Sequence, residues 1–509
     1  MRLDRTGNAK RNIIVCGADK TLGVLLPFIV RTMIIHIIGS EYLGLTSLYY
    51  SILQMLNLSE MGFGQAIIYS LYKPIAENNT DEINALVKFY RKVYRYVGAF
   101  VMGAGLVIMP FLPFFIKGET PSGVNIYFLY LIYLVNAVIG LVVYPERKAL
   151  FFAHQRDDVS SRIHIISQLI MYVGQAVFIV LTKDYYLYAV MMPVTSIIYS
   201  VYCGAECKKM YPEYVGKGTL DKDKAENIKK QVIGLTIRKL ASFSRNTFDS
   251  IFVSAYFGLT INSYYANYYY IMDSVVIILA VLKSSLAGGV GNSIALETKE
   301  KNLNDMQKIN FLYMWISGWL ATCMLCLYQP FMRIWVHEEN MLPFTIALLF
   351  AVSFYIYKTA DIRTLYGESV GIWWEMRYLS VAEAIMNIAL NWTFIHFWGL
   401  HGIILASIVT FTICNFAGGA IILYRVYFNG KGCANYFLSH LKYGLATVVV
   451  AAGTFWLVSL LPEAGVVSFV FKCGICAIIP NIIMFLLLFY TKDFKESMKF
   501  ARKLLRAKN

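Results

Sequence analysis

Continuous apolar stretches run almost end to end through this chain, and the polar breaks between them are short. About fourteen stretches can be counted, at roughly 20–38, 44–70, 96–116, 124–145, 160–182, 186–205, 240–258, 263–292, 309–332, 342–362, 378–397, 400–424, 441–461 and 466–490. Each approaches the ~20 residues that a helix needs to cross ~30 Å of hydrocarbon. They are unbroken apolar runs, not alternating strands of about ten residues, so the pattern predicts helices and not a barrel. Backbone groups in lipid must bond internally, which helices achieve within one segment. The expected fold is an all-α polytopic membrane protein.

The longest polar stretch, 206–239, contains Pro212, Gly216 and Gly218 and then a run rich in Lys and Asp. It divides the chain into an N-terminal six-helix bundle (1–205), a cytoplasmic linker (206–239), a C-terminal six-helix bundle (240–425) and two further helices with a basic tail (426–509). The halves read as a repeat. A shift of 219 lays Lys20 on Lys239, Gly39 on Gly258, Tyr49 and Tyr50 on Tyr268 and Tyr269, and Ile52 on Ile271. With a small slip, Arg147 falls on Arg363. Each half has an even number of spans, so the repeat is parallel, about an axis along the membrane normal. The segments 9–20 and 224–239 read as amphipathic helices lying in the membrane interface.

Composition sharpens this picture. The 509 residues are 58% hydrophobic and 15% charged, which excludes a water-soluble protein. The 46 Lys and Arg outweigh the 31 Asp and Glu, for a net charge of +15. Such a charge could point to nucleic acid, but its placement does not. Nearly all the cations fall on one side; Lys117, Lys183 and Arg333 are those assigned to the other. That is the positive-inside pattern, with both termini cytoplasmic and the charge directed at membrane lipids. No cleavable leader pattern is recognised, so the first helix is expected to be retained. The nine cysteines include Cys323/Cys326 and Cys473/Cys476 at CxxC spacing, but without His or carboxylate company. They read as small buried apolar residues, with no metal expected.

Candidate chemistry lies in the few charges kept inside the spans, because each costs at least ~2.5–3.5 kcal/mol to insert. Arg31 lies about nine residues into the first span, roughly 14 Å deep at 1.5 Å per residue. It faces either a cavity or a partner such as Glu60 or Asp273. Arg245 and Asp249 are four apart and share a helix face. Lys283 lies at a depth similar to that of Glu60. Lys358, Asp361 and Arg363 end the tenth span, with Lys358 deep and Arg363 at the headgroup level. Tyr49 and Tyr268 belong to a tyrosine-rich set whose rings can pack in the core or stack on sugars. No Ser/His/Asp, HExxH or GxxxxGK[ST] pattern is present, so no enzyme and no cofactor are expected.

Leu25–Thr32 (LLPFIVRT), Gly39–Leu45 (GSEYLGL) and Ser59–Ala66 (SEMGFGQA) resemble the opening of bacterial polysaccharide repeat-unit flippases. These form the Wzx-like branch of the multidrug/oligosaccharidyl-lipid/polysaccharide exporter superfamily. Tyr69–Asn78 (YSLYKPIAEN) is similar to that family's first cytoplasmic loop, and Arg147–Arg156 (RKALFFAHQR) to the inner end of its fourth helix. The resemblance implies an oligosaccharide linked through pyrophosphate to a polyprenyl lipid, moved across the bacterial inner membrane by alternating access. It implies glycan polymerase and glycosyltransferase partners. Arg31, Arg245, Lys358, Lys283, Tyr49 and Tyr268 are then the expected substrate contacts. Asp249, Asp273, Asp361 and Glu60 are the expected sites for a coupling H⁺ or Na⁺. A multidrug exporter or a lipid II flippase shares much of this physics; a multidrug exporter would want an acidic cavity. A membrane glycan polymerase would want a large external loop, and the loops here are short.

Overall fold

A computed structural model describes the backbone of residues 5–57, 68, 70–75, 77–118, 120–121, 123–154, 156–372, 374–462 and 465–506. Side chains at 5–14, 227, 229–246, 288, 295 and 503–506 fall outside the description. Glu60 and the side chain of Arg245 therefore lie outside the described residues.

All regular structure among the described residues is helical. Among the described residues, ten helices are long and apolar enough to cross a membrane, or eleven if one bent pair is a single span. The protein is a multi-pass membrane protein. Two of those lengths each hold two of the expected spans. Residues 222–296 form one helical run with a break at Gly258 (φ 88°), and 377–410 another with a break at Gly399 (φ 54°). Only glycine enters this part of backbone space readily, so both turns are written into the sequence. Gly39 (φ 134°) makes the corresponding break in the first half, at the position that the repeat shift pairs with Gly258.

The chain forms two compact units, Met1–Ser263 and Tyr264–Asn509. In the first unit the helices are α1 (Arg5–Ile37), α2 (Ser40–Leu56), α3 (Thr80–Ile108), α4 (Ile126–Val142), α5 (Pro145–Ala153), α6 (Asp157–Thr182), α7 (Tyr185–Met210) and the first part of α8 (Lys222–Leu296). Starts are capped by side chains that accept orphan backbone N–H groups. Asn79 accepts from Glu82 N (3.2 Å), Asn125 from Tyr127 N (3.0 Å) and Asp184 from Tyr186 N (2.7 Å). Helix α1 packs along α6, α6 along α7, and α7 against α4. The expected interfacial helix at 9–20 is not separate. It is the first half of α1, and Asp19 bonds His164 of α6 at 2.7 Å. The expected helix at 224–239 likewise runs on without a backbone break into the seventh span, within α8.

The core of this unit is rich in tyrosine. Tyr49, Tyr130 and Tyr133 are almost wholly buried and meet edge to face at 5.4–5.5 Å. The seventh span joins α2 through polar bridges. Asn262 donates to the Gly44 carbonyl (2.9 Å), and the Ser47 and Ser250 hydroxyls bond at 3.2 Å. A Cβ at Gly44 would meet the Leu259 carbonyl oxygen at 1.9 Å, so glycine is required there by contact, not by conformation.

The second unit holds the rest of α8, then α9 (Lys299–Val336), α10 (Phe344–Thr359), α11 (Asp361–Val370), α12 (Arg377–Thr410), α13 (Gly419–Val426), α14 (Cys433–Ser459), α15 (Val466–Leu488) and α16 (Lys492–Arg506). Between α12 and α13 a π-helical stretch covers Phe411–Gly418. Helix α9 is the hub, with α10, α14, α15 and α16 packed on it. Gly318 permits the close approach: a Cβ there would meet Thr447 at 2.6 Å and Met484 at 3.1 Å.

Candidate functional site

Asp273 and Lys283 of α8 meet Lys358 and Asp361, which lie much further along the chain, in the second unit. The meeting depends on a break in the tenth span. Helix α10 ends at Thr359, Ala360 leaves the run, and α11 starts on Asp361. The break places a lysine in the last turn of one helix and an aspartate at the first position of the next. Each charge then complements its local helix dipole. Lys358 Nζ donates to Asp361 Oδ2 at 2.9 Å, and the Tyr313 hydroxyl from α9 donates to the same oxygen at 2.5 Å. Lys283 Nζ lies 3.9 Å from Asp361 Oδ1. Asp273 lies within electrostatic reach of Lys358. The order is Asp273, Lys358, Asp361, Lys283, a column of alternating sign. Asp273 and Lys283 both stand on α8, which at 1.5 Å per residue sets a column length of about 15 Å. The Lys358 side chain is 6% exposed, against 19% for Asp361 and 22% for Lys283, and Asp273 is also part-exposed, so the column is most deeply buried at Lys358.

Two residues beyond Asp361, Arg363 turns the other way. The sequence placed it at the headgroup level; within the fold it is 2% exposed and built into the π-helical stretch. Its Nη2 donates to the Asn415 carbonyl (2.8 Å) and to Asn415 Oδ1 (2.7 Å). Gly419 makes room, since a Cβ would lie 2.6 Å from the guanidinium carbon. The π turn releases carbonyls from the usual ladder, and here one of them receives the guanidinium.

The first unit offers a different surface. A cavity of about 280 Å³ is lined by Tyr50, Asn136, Lys148, His164, Gln168 and Tyr199, with Ser and Thr hydroxyls between them. Ser196 donates to Asn136 Oδ1 at 2.6 Å, and Gln168 bonds His164 at 2.9 Å. Tyr50, 44% exposed, presents its ring here and donates its hydroxyl to Met192 Sδ at 3.2 Å. Arg31 is half-buried on α1, within electrostatic reach of the Tyr185 and Tyr188 hydroxyls. Tyr185 bonds Thr46, which also bonds Tyr133 at 3.0 Å. Asp249 is buried in the seventh span, beside the bridging Ser250.

The two tyrosines singled out from sequence are placed in packed cores. Tyr49 donates to the Ile126 carbonyl at 2.7 Å; Tyr268 donates to Gln329 Oε1 at 2.7 Å. Their hydroxyls are committed to the fold, and the ring facing the cavity belongs to the neighbour, Tyr50. Sequence reasoning also missed Tyr313, Lys148 and His164. Tyr313 and His164 are ordinary residues within apolar runs, and Lys148 is one cation in a basic loop. Only their neighbours distinguish them.

A family model described as polysaccharide biosynthesis protein matches residues 9–287. The chain belongs to that family. None of the curated proteins matches it. Solved structures of similar fold include a lipid II flippase, MurJ, in an inward closed conformation. It is 13% identical with a TM-score of 0.66, over 93% of this chain and 97% of that one. An inward-facing multidrug resistance MATE family transporter of the MOP superfamily is 11% identical, with a TM-score of 0.61 over 80% and 96%. The Vibrio cholerae MATE transporter VcmN, in its bent form, is 13% identical, with a TM-score of 0.56 over 86% and 99%. At these identities the likeness establishes the fold of this polysaccharide biosynthesis family member, which is that of transporters and a flippase.

Proposed function

We propose that the protein is a flippase that carries polyprenyl-pyrophosphate-linked oligosaccharide units across the bacterial cytoplasmic membrane by alternating access, with both termini in the cytoplasm. Family membership supports the glycan, and one structural observation supports the step: two lysines share the single carboxylate of Asp361. A pyrophosphate entering the column offers more negative charge than Asp361 and competes for both ammonium groups. A proton taken up by Asp361 releases the lysines, and its loss returns them. That exchange ties anion binding to proton movement with no residue beyond those in the column. Tyr313 holds the carboxylate in place throughout. Asp273, close to Lys358, keeps the column near neutrality when the glycan has left. Arg31, Arg245, Asp249 and Glu60 remain proposed contributors to binding and coupling. In the first unit, Tyr50 and Tyr199 offer ring faces, and the amides and hydroxyls around them offer bonds, for a sugar.

The test is a deletion strain complemented by wild type or by Asp361→Asn. The proposal expects lipid-linked repeat units to accumulate on the inner leaflet in the deletion and in the variant. Accumulation on the outer leaflet would mean a polymerase. Arrest of peptidoglycan precursors would mean a lipid II flippase, and loss of drug tolerance alone would mean a multidrug exporter. Each of these outcomes overturns the proposal.

A further inference from the structure

The two CxxC motifs, 150 residues apart, meet. Cys323 and Cys326 are three apart on α9, so both face the same neighbour. Cys473 and Cys476 are three apart on α15, which packs against α9. Cys326 and Cys476 are buried together under Val458, with Cys323 packed against them. Three of the four cysteines thus belong to one packed cluster at the contact of α9 and α15. Cys323 also reaches the Cys476 carbonyl at 3.4 Å. The helices are held in register at this level: Trp319 Nε1 donates to the Cys476 carbonyl (2.8 Å) and Trp315 Nε1 to Asn481 Oδ1 (3.0 Å). Burial alone explains one small apolar residue. It does not require three thiols from two helices to converge on one point.

We propose that this cluster is an oxidation site at which Cys476 forms a disulfide with Cys323 or Cys326, tying α15 to α9. Two thiols lose two protons and two electrons and gain one S–S bond. A lipid-soluble quinone accepts both protons and both electrons and becomes the quinol. The oxidant must be apolar, because Cys326 and Cys476 are almost wholly buried. Cys473 and Cys323 are only half-buried and offer the approach. The third thiol gives the bond a second position: attack by the free cysteine of α9 on the disulfide moves it between Cys323 and Cys326. The cluster lies in the halves of α9 and α15 remote from the basic helix α16, the side on which the positive-inside pattern expects an oxidising compartment.

The full-length protein in lipid nanodiscs is treated with tetramethylbenzoquinone, which accepts electrons but resists thiol addition, and separately with diamide, an uncharged thiol oxidant. Free thiols are then counted by alkylation and the bond is mapped by peptide mass. Loss of two thiols per chain with a Cys476–Cys323 or Cys476–Cys326 peptide is the expected result. A charged, water-soluble oxidant leaves these thiols free. Cys323→Ser moves the bond to Cys326, Cys326→Ser leaves it on Cys323, and Cys476→Ser abolishes it. Retention of all nine thiols under both uncharged oxidants overturns the proposal, as does a bond mapped to Cys16, Cys433 or a second chain. Should Cys476→Ser not fold, the mapped bond in the wild type and the two α9 variants still decide.

Discussion

The fourth and tenth spans are interrupted at matching places, the fourth by a sharp bend with Tyr144 left-handed (φ 54°) and the tenth by Ala360 alone, still right-handed (φ −95°), and they carry different chemistry. In the first unit, α4 and α5 meet at a 49° bend, and Pro145 opens the new helix. In the second, α10 and α11 meet at Ala360 and Asp361 opens it. The third residue after each break is a buried arginine. Arg147 donates to the Tyr214 carbonyl (3.2 Å) and pairs with Glu146 (3.5 Å), which also holds Arg91 (2.9 Å). Arg363 donates twice to Asn415. The arginines anchor both breaks to the surrounding fold. The positions just before them differ: Val142 and Pro145 in one unit, Lys358 and Asp361 in the other. One break is a structural joint. Its counterpart has become the centre of a charged column. A repeat thus keeps an interruption followed by a buried arginine and varies both the sharpness of the interruption and what it presents.

Four measurements test this contrast. The largest effect is expected from Asp361→Asn, which keeps the side-chain shape at the start of α11 but removes the charge that both lysines share. Export in a complementation assay should fall by at least tenfold at normal protein level, while Pro145→Ala at the other break retains most export. Second, Lys358→Ala removes the closest cation of Asp361 and leaves it the more distant Lys283, and should lower unfolding free energy by about 3 kcal/mol, the lower end for breaking a buried pair. Arg147→Ala should be milder, about 1–3 kcal/mol for one orphaned carbonyl, because Glu146 keeps Arg91. Equal losses would mean that the two breaks serve the same purpose. Both are read by thermal unfolding in detergent.

The third separates core from cavity. Tyr49→Phe should cost about 0.5–1.5 kcal/mol of stability, for one lost hydrogen bond, with export unchanged. Tyr50→Ala should reduce export with little change in stability. The reverse pattern would place the sugar-facing ring where the sequence first suggested it. The smallest effect is expected at His154, beyond the end of α5. It stacks on Tyr211 at 4.4 Å, and burial pushes its imidazole below the usual range, against a weaker opposing pull from Glu213. The folded protein therefore resists a proton that the unfolded chain accepts below about pH 6.5. Stability is full above that pH and declines as pH falls through it. The unfolding midpoint should drop between about pH 8 and about pH 5, and His154→Phe should flatten the slope. An unchanged slope would remove His154 from the account.

The bilayer's demands made much of this molecule readable in advance. Span-length apolar runs, Gly39 and Gly258 at matching positions, and the paired arginines Arg147 and Arg363 are local features whose physical consequences do not depend on distant neighbours. Hydrocarbon accepts only internally bonded backbone, so such runs become helices wherever they pack. The same rule singled out Lys283, Lys358, Asp273 and Asp361, since ionised groups are rare in lipid. It could not say that these four would find one another, that Tyr313 would join them, or that Arg363 would turn away into a π turn. Nor could it distinguish Tyr49 from Tyr50, or bring Cys476 against Cys323 and Cys326. Those outcomes depend on helix rotation and on which faces pack. Apolar spans in an apolar medium leave both to small residues and side-chain shape, which acquire meaning when the neighbouring helix is in place.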